Sequence, residues 1–166
     1  MARRAGSGRG RGEPSVFIST YEKQLDAKRR IVVPQDFRTV LGNEGFEGVY
    51  CFPAIEADCL EAGGQALFDR YQALIAELAV GDPLRAALET SVLGGMTRLS
   101  FDSAGRITLP EAYREAHGIT DWVALTGLGD RFQIWSREAF NAHRAAERAA
   151  AREALAVYRS RHRGAA

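Results

Sequence analysis

Apolar and polar positions follow different rhythms in different parts of this chain. Two stretches, around residues 16–53 and 97–136, carry short apolar runs broken by turn-forming residues, the pattern of short strands. Within the first, Ile31, Val32 and Val33 are β-branched and suit a pleated strand. Between the two stretches the rhythm becomes helical. LFDRYQALIAELAV at 67–80 sets Leu67, Tyr71, Leu74, Ile75 and Leu78 on one stripe. Asp82 and Pro83 then supply an N-cap and a first-position proline for PLRAALETSVL. After Ser136, a second capping residue, the chain is Ala-rich and strongly helix-forming to its basic end at Arg159, Arg161 and Arg163. Residues 1–14 have no apolar period and are rich in Gly and Arg, which predicts a disordered basic arm.

The strand-rich stretches repeat one another. LDAKRRIVVPQDFR at 25–38 aligns with FDSAGRITLPEAYR at 101–114, 76 residues on. Asp26 matches Asp102, Arg30 matches Arg106, Ile31 matches Ile107, Pro34 matches Pro110 and Arg38 matches Arg114. A second register, 83 residues apart, aligns GVYCFP at 48–53 with RFQIWS at 131–136. Each copy predicts strand, tight turn, strand, one-turn helix, strand, strand. The turns fall at the aspartates, and the prolines stop each second strand and suit the first position of the short helix. A unit of about 45 residues has too little core to stand alone. Two units sharing one core remove that difficulty, which predicts a pseudo-twofold barrel. The expected organisation is α+β with a mainly β core: an arm at 1–14, a first repeat at 16–62, a helical connector at 63–94, a second repeat at 95–142 and a helical extension at 143–166.

Composition narrows the function. With 46% hydrophobic and 26% charged residues the chain is that of a soluble globular protein. No window approaches the ~20 consecutive apolar residues of a membrane span, and the basic N-terminus lacks the apolar core of a secretory signal. A cytoplasmic location is expected, with no membrane partner. Cys51 and Cys59 lack the companions of a zinc site or a disulfide framework and suit ordinary reduced thiols. The net charge is only +1, but it is partitioned: residues 1–34 carry eight basic and three acidic side chains, 35–95 three and ten, and 96–166 eleven and eight. The histidines, His117, His143 and His162, are scattered, and no nucleophile has a neighbouring base. GLGD at 127–130 lacks the Lys-Ser/Thr of a phosphate loop and suits a β-turn. No catalysis, cofactor, metal or small-molecule substrate is expected.

The two Asp-x-x-x-Arg turns, each followed by a short run to proline and an aromatic-Arg pair, resemble the double AbrB-type repeat of the MraZ family of bacterial transcriptional regulators. The resemblance covers roughly residues 16–142. It implies two swapped-hairpin repeats, a ring-shaped homo-oligomer, nucleoid association, and binding to repeated short double-stranded DNA sites upstream of cell-division and cell-wall genes, the protein's own among them. Carried onto this chain, it makes Arg30 the main DNA contact. Lys28 and Arg29 add phosphate contacts, and Arg106 is structural or a weaker contact. Asp26 and Asp102 are expected to accept turn amides or to orient the arginines. Arg38 and Arg114 are expected to be solvated or to pack their stems. The family's first turn has glycine where this chain has Arg29, whereas Gly105 is kept in the second. Either the first turn changes conformation or it tolerates strain of about 1–2 kcal/mol. The other reading of the same fold is an antitoxin-like protein-interaction module.

Overall fold

The computed structural model describes residues 15–163; the arm expected at 1–14 lies outside them. The first half runs β1 (Thr20–Gln24), β2 (Arg30–Val32), α1 (Gln35–Gly42), β3 (Gly48–Pro53) and β4 (Leu60–Gly63). Helices α2 (Gln65–Glu77) and α3 (Pro83–Leu88) follow, the latter continuing into a π-helical turn at Glu89–Leu93. The second half runs β5 (Thr97–Ser100), β6 (Arg106–Thr108), α4 (Glu111–Ala116), β7 (Trp122–Gly127) and β8 (Phe132–Ser136), and α5 (Arg137–His162) closes the chain. No helix of the described residues is long and apolar enough to cross a membrane.

The pairing interleaves the halves. Six strands form one antiparallel sheet in the order β1-β7-β8-β4-β3-β5, and β2 pairs with β6 in a separate two-stranded ribbon. The first strand of each half therefore lies on the third strand of the other: Glu22 faces Ala124, and Leu99 faces Val49. The ribbon is centred on Ile31 opposite Ile107, and both are fully buried. Neither half can bury its apolar faces without the other, since one core includes Ile31, Val33, Phe37 and Val49 from the first and Ile107, Leu109, Val123 and Leu125 from the second.

An aromatic trio holds one side of that core. Phe17, Phe37 and Phe132 have ring centroids 4.9–5.2 Å apart. Phe17 reaches them because its amide donates to Gly129 O (2.8 Å) and its carbonyl accepts from the Gly129 amide (2.7 Å). That approach needs Gly127, where a Cβ would stand 2.4 Å from the Phe17 carbonyl carbon. In the second half Tyr113 occupies the place of Phe37, and its hydroxyl donates to the Gly95 carbonyl (2.5 Å), with the Cys51 carbonyl (3.2 Å) and Thr97 Oγ1 (2.9 Å) also beside it.

Several expectations need adjustment. The 83-residue register does not survive: 48–53 is the third strand of its half and 132–136 the fourth, so the counterpart of β3 is β7. The similarity of GVYCFP and RFQIWS reflects two strands buried on both faces, not equivalent positions. Pro34 and Pro110 sit at the N-caps, one residue before the first helical position, and α1 runs eight residues rather than a single turn. Helix α2 starts at Gln65, where Glu44, from the turn after α1, accepts the Ala66 amide (3.2 Å). On the expected stripe Leu67 and Ile75 are buried, while Leu74 is exposed. Asp82 caps α3 through the Leu84 amide (2.8 Å), and Ser136 caps α5 through the Ala139 amide (3.2 Å). GLGD is a strand-to-strand turn, closed by the Leu128 amide on Arg131 O (2.8 Å). Cys51 and Cys59 are buried free thiols, and burial pushes the Cys59 pKa up to about 12.

Truncating the aromatic trio gives a direct check. Phe132→Ala should cost about 3–5 kcal/mol, read as a lower denaturant midpoint at unchanged slope. A wild-type midpoint would show that the trio carries no packing energy.

Candidate nucleic-acid interface

The two Asp-x-x-x-Arg segments adopt one geometry. In the first turn, Asp26 Oδ1 accepts the amides of Lys28 and Arg30, both at 2.9 Å, and Asp26 Oδ2 accepts Arg30 Nε at 2.8 Å. In the second, Asp102 Oδ1 accepts the amides of Ala104 and Arg106 at 2.9 Å, and Oδ2 accepts Arg106 Nε at 2.8 Å. Each carboxylate thus accepts two amides of its own turn and the Nε of its own arginine. The Arg30 amide, with its guanidinium, holds the Asp26 carboxyl below its ordinary value against desolvation; the Arg106 amide and guanidinium do the same for Asp102.

The turns also grip each other. Arg30 Nη1 lies 3.7 Å from Asp102 Oδ2, and Arg106 Nη1 lies 3.8 Å from Asp26 Oδ2. Two backbone bonds repeat the exchange: Val33 donates to Gly105 O (3.1 Å) and Leu109 donates to Arg29 O (3.2 Å). Two aspartates and two arginines thereby form one alternating cluster at the mouth of the β2–β6 ribbon. Arg30 and Arg106 are half-buried in it, and Lys28 and Arg29 are exposed beside it.

Arg29 adopts φ 62° and Gly105 φ 72°. The first turn has therefore kept the glycine conformation and accepts the strain. At Gly105 the Arg38 guanidinium covers the turn, so a side chain there would have to displace it: a Cβ would stand 2.6 Å from Arg38 Nη1. Arg38 and Arg114 are clamps rather than solvated side chains. Arg38 Nε donates to Val33 O (3.0 Å) and Arg114 Nε to Leu109 O (3.2 Å), each tying its short helix to the residue before the proline. Both arginines were visible in the repeat; that their partners are backbone carbonyls was not. The Arg29 guanidinium reaches across to Thr120 O (3.3 Å) in the other half.

Charge on this face is lopsided. The first turn presents Lys28 and Arg29 outside the cluster, where the second has Ala104 and a buried Gly105. The sequence pattern also did not disclose Glu61, a buried carboxylate that Tyr71 Oη (3.1 Å), Arg131 Nε (3.1 Å) and Arg70 Nη2 (3.6 Å) surround. It joins β4 to α2 and to the residue just before β8, away from the Asp-x-x-x-Arg turns. Among the described residues no group of three His, Cys, Asp or Glu side chains is placed to hold a metal ion.

Known proteins resemble the chain along most of its length. A family model described as "MraZ protein, putative antitoxin-like" matches residues 92–158. A protein of Phenylobacterium zucineum named transcriptional regulator MraZ is 67% identical over 150 residues, covering 90% of this chain and 93% of the relative. One of Caulobacter vibrioides with the same name is 64% identical over 150 residues, covering 90% and 96%. One of Xanthobacter autotrophicus, also so named, is 39% identical over 127 residues, covering 76% and 81%.

The turn geometry makes two predictions. Arg29→Gly relieves about 1–2 kcal/mol of left-handed strain and restores roughly 0.5–1 kcal/mol of glycine's unfolded-state freedom, a net gain between about 0 and 1.5 kcal/mol. The midpoint of thermal unfolding should rise, by about 2–4 °C for each kcal/mol gained; a fall would mean that the Arg29 side-chain contact outweighs the strain. The depressed carboxylates contribute stability that is complete above the ordinary value of 3.8 and disappears as pH falls through their lower folded values. Thermal midpoints measured from neutral to strongly acid pH should therefore drop more steeply below that value in the wild type than in Asp26→Asn/Asp102→Asn. Parallel curves would remove the two carboxylates from the acid transition.

Proposed function

This chain belongs to the MraZ family of transcriptional regulators, and from that premise we propose that it binds double-stranded DNA sequence-specifically through the turn at 26–30. The observation that carries the reading is the run of three cations, Lys28, Arg29 and Arg30, at the rim of a rigid interlocked ribbon. DNA recognition asks for cations held at fixed spacing rather than for reactive groups. Arg30 has its Nε committed to Asp26, so its guanidinium is aimed, not mobile. It is the candidate for a base edge, where guanine O6 and N7 accept a bidentate arginine. Lys28 and Arg29, exposed beside it, take phosphates. Arg106 sits in the equivalent cluster without flanking cations and serves mainly to hold the pair together.

We read the two halves as AbrB-like swapped-hairpin repeats of one pseudo-twofold barrel, acting as a cytoplasmic, nucleoid-associated regulator. A single turn touches little DNA, whereas specific protein–DNA interfaces bury roughly 1,000–2,500 Å² of protein surface. A ring of identical copies multiplies weak contacts through effective concentration and accounts for recognition of repeated short sites. Family resemblance supports placing those sites upstream of cell-division and cell-wall genes, the protein's own included. The antitoxin-like wording of the family description favours a second reading, a protein-interaction module; a partner co-purifying in fixed stoichiometry would mark it.

Binding of the wild type, Arg30→Ala and Lys28→Ala/Arg29→Ala to the DNA upstream of the protein's own coding region, against unrelated DNA of equal length and at several salt concentrations, tests the proposal. Arg30→Ala should lose selective binding. The double variant should bind with a salt dependence shallower by about 0.9 in log–log slope for each phosphate contact removed. Equal weak binding of the wild type to both DNAs would overturn sequence-specific recognition.

A further inference from the structure

Helix α5 is anchored only at its start. Phe140 is buried, His143 stacks on Trp135 at 4.3 Å, and Arg137 bonds Glu22 and lies over Trp122. From Arg144 to Arg163 every residue is exposed. Six of the seven arginines from 137 onward, at 137, 144, 148, 152, 159 and the C-cap 163, form a row, with Arg161 off it. At about 100° of rotation per residue these six fall within one arc of roughly 100°. The arc contains none of the helix's three glutamates, Glu138, Glu147 and Glu153, and its centre is turned about 120° from the mean direction of Phe140 and His143. Beyond Arg137, no arginine of the row has a carboxylate partner among the described residues. Arg144 lies over the Phe140 ring (5.8 Å), and the row as a whole is exposed positive charge without an ion pair beyond Arg137.

An unmatched row of this kind fits a polyanion. All of its members are arginines, whose planar forks bind phosphate oxygens in pairs. From Arg144 to Arg163 the row spans about 28 Å, the rise of roughly eight base pairs. Its position relates it to the turns. Trp122, under Arg137, pairs with Gln24 at the turn end of β1. Arg144 and Arg148 line a groove with Glu147, Thr20, Thr126 and Leu128 at the opposite end of the same strands. The row thus begins beside the first turn and leads away from it.

We propose that the α5 arginines Arg144, Arg148, Arg152, Arg159 and Arg163 form a second, sequence-independent contact with the phosphate backbone of duplex DNA flanking the segment held by the 26–30 turn. The inference rests on the DNA-binding reading above and extends it to a separate surface.

The test uses the full-length protein and two duplexes: the shortest segment of its own upstream region that the wild type binds selectively, and that segment with long unrelated flanks. Three forms are titrated across salt: wild type, the five-fold Arg→Gln variant at these positions, and the five-fold Arg→Lys variant. Glutamine is a good helix former, and circular dichroism checks that α5 persists. The wild type should prefer the flanked duplex. The glutamine variant should lose that preference, roughly tenfold or more at low salt, with a slope lower by about 0.9 per phosphate lost. It should match the wild type on the short duplex, and the lysine variant should keep most of the preference. Wild-type binding of the flanked duplex by the glutamine variant overturns the proposal while leaving turn-mediated recognition intact. An altered oligomeric mass with unchanged DNA binding also overturns it, and assigns the row to contacts between copies. A wild type that selects neither duplex overturns the DNA-binding reading and this inference with it.

Discussion

Two aspartates and two arginines set the terms for the rest of the molecule. Asp26 and Asp102 each close a turn through two amides and hold one guanidinium, and each guanidinium reaches toward the other half's carboxylate. Half-exposed ion pairs contribute little energy one by one. Their effect here is geometric: they set the direction in which β2 and β6 leave their turns, so that Ile31 meets Ile107 in the core. The crossing bonds from Val33 and Leu109 make the same demand of the backbone. Displacing one turn would uncouple the ribbon, the two short helices behind it and the Arg38 and Arg114 clamps together.

That shared scaffold carries unlike outer surfaces. The backbone, the Asp-Arg bonds and the clamps are near copies, because both halves must satisfy the same buried groups. The exposed positions answer to no such constraint. At the matching places the first turn exposes Lys28 and Arg29, whereas the second exposes only Ala104, its Gly105 lying buried under Arg38. Arg29 keeps a left-handed conformation that glycine would adopt without strain. On the proposed DNA-binding reading the added cation supplies a reason for that strain, while a side chain at Gly105 would have to displace the Arg38 guanidinium. A near-symmetric fold can thus present a directional face.

The elements legible in the sequence were those governed by neighbours along the chain. The turns, the strands beginning at Arg30 and Arg106, the capped starts of α3 and α5, and the pairing of Asp26 with Arg30 follow from local geometry. What depended on partners far along the chain was less visible. The strands at 48–53 and 132–136 look alike because both are buried on two faces, and apolar content does not distinguish the third strand of a half from the fourth. Glu44, capping α2 from the turn after α1, and Glu61, held by Tyr71, Arg131 and Arg70, leave no periodic mark. Of the candidate site, the identity of Arg30 was legible, whereas its tether to a carboxylate on the opposite turn was not.

The sequence by itself determined the doubled turn motif, the helical connector, the long C-terminal helix and the segregation of charge, because spacing and side-chain type at neighbouring positions suffice for each. Only the tertiary structure decided that the first strand of each half lies on the third strand of the other, that Arg30 and Arg106 meet at one cluster, and that the α5 arginines beyond Arg137 stand on the exposed length of a helix anchored only at its start. Hydrogen-bonded pairing between strands and contact between distant charges depend on which apolar faces find each other. That choice belongs to the whole chain, since neither half has enough apolar surface to form a core alone.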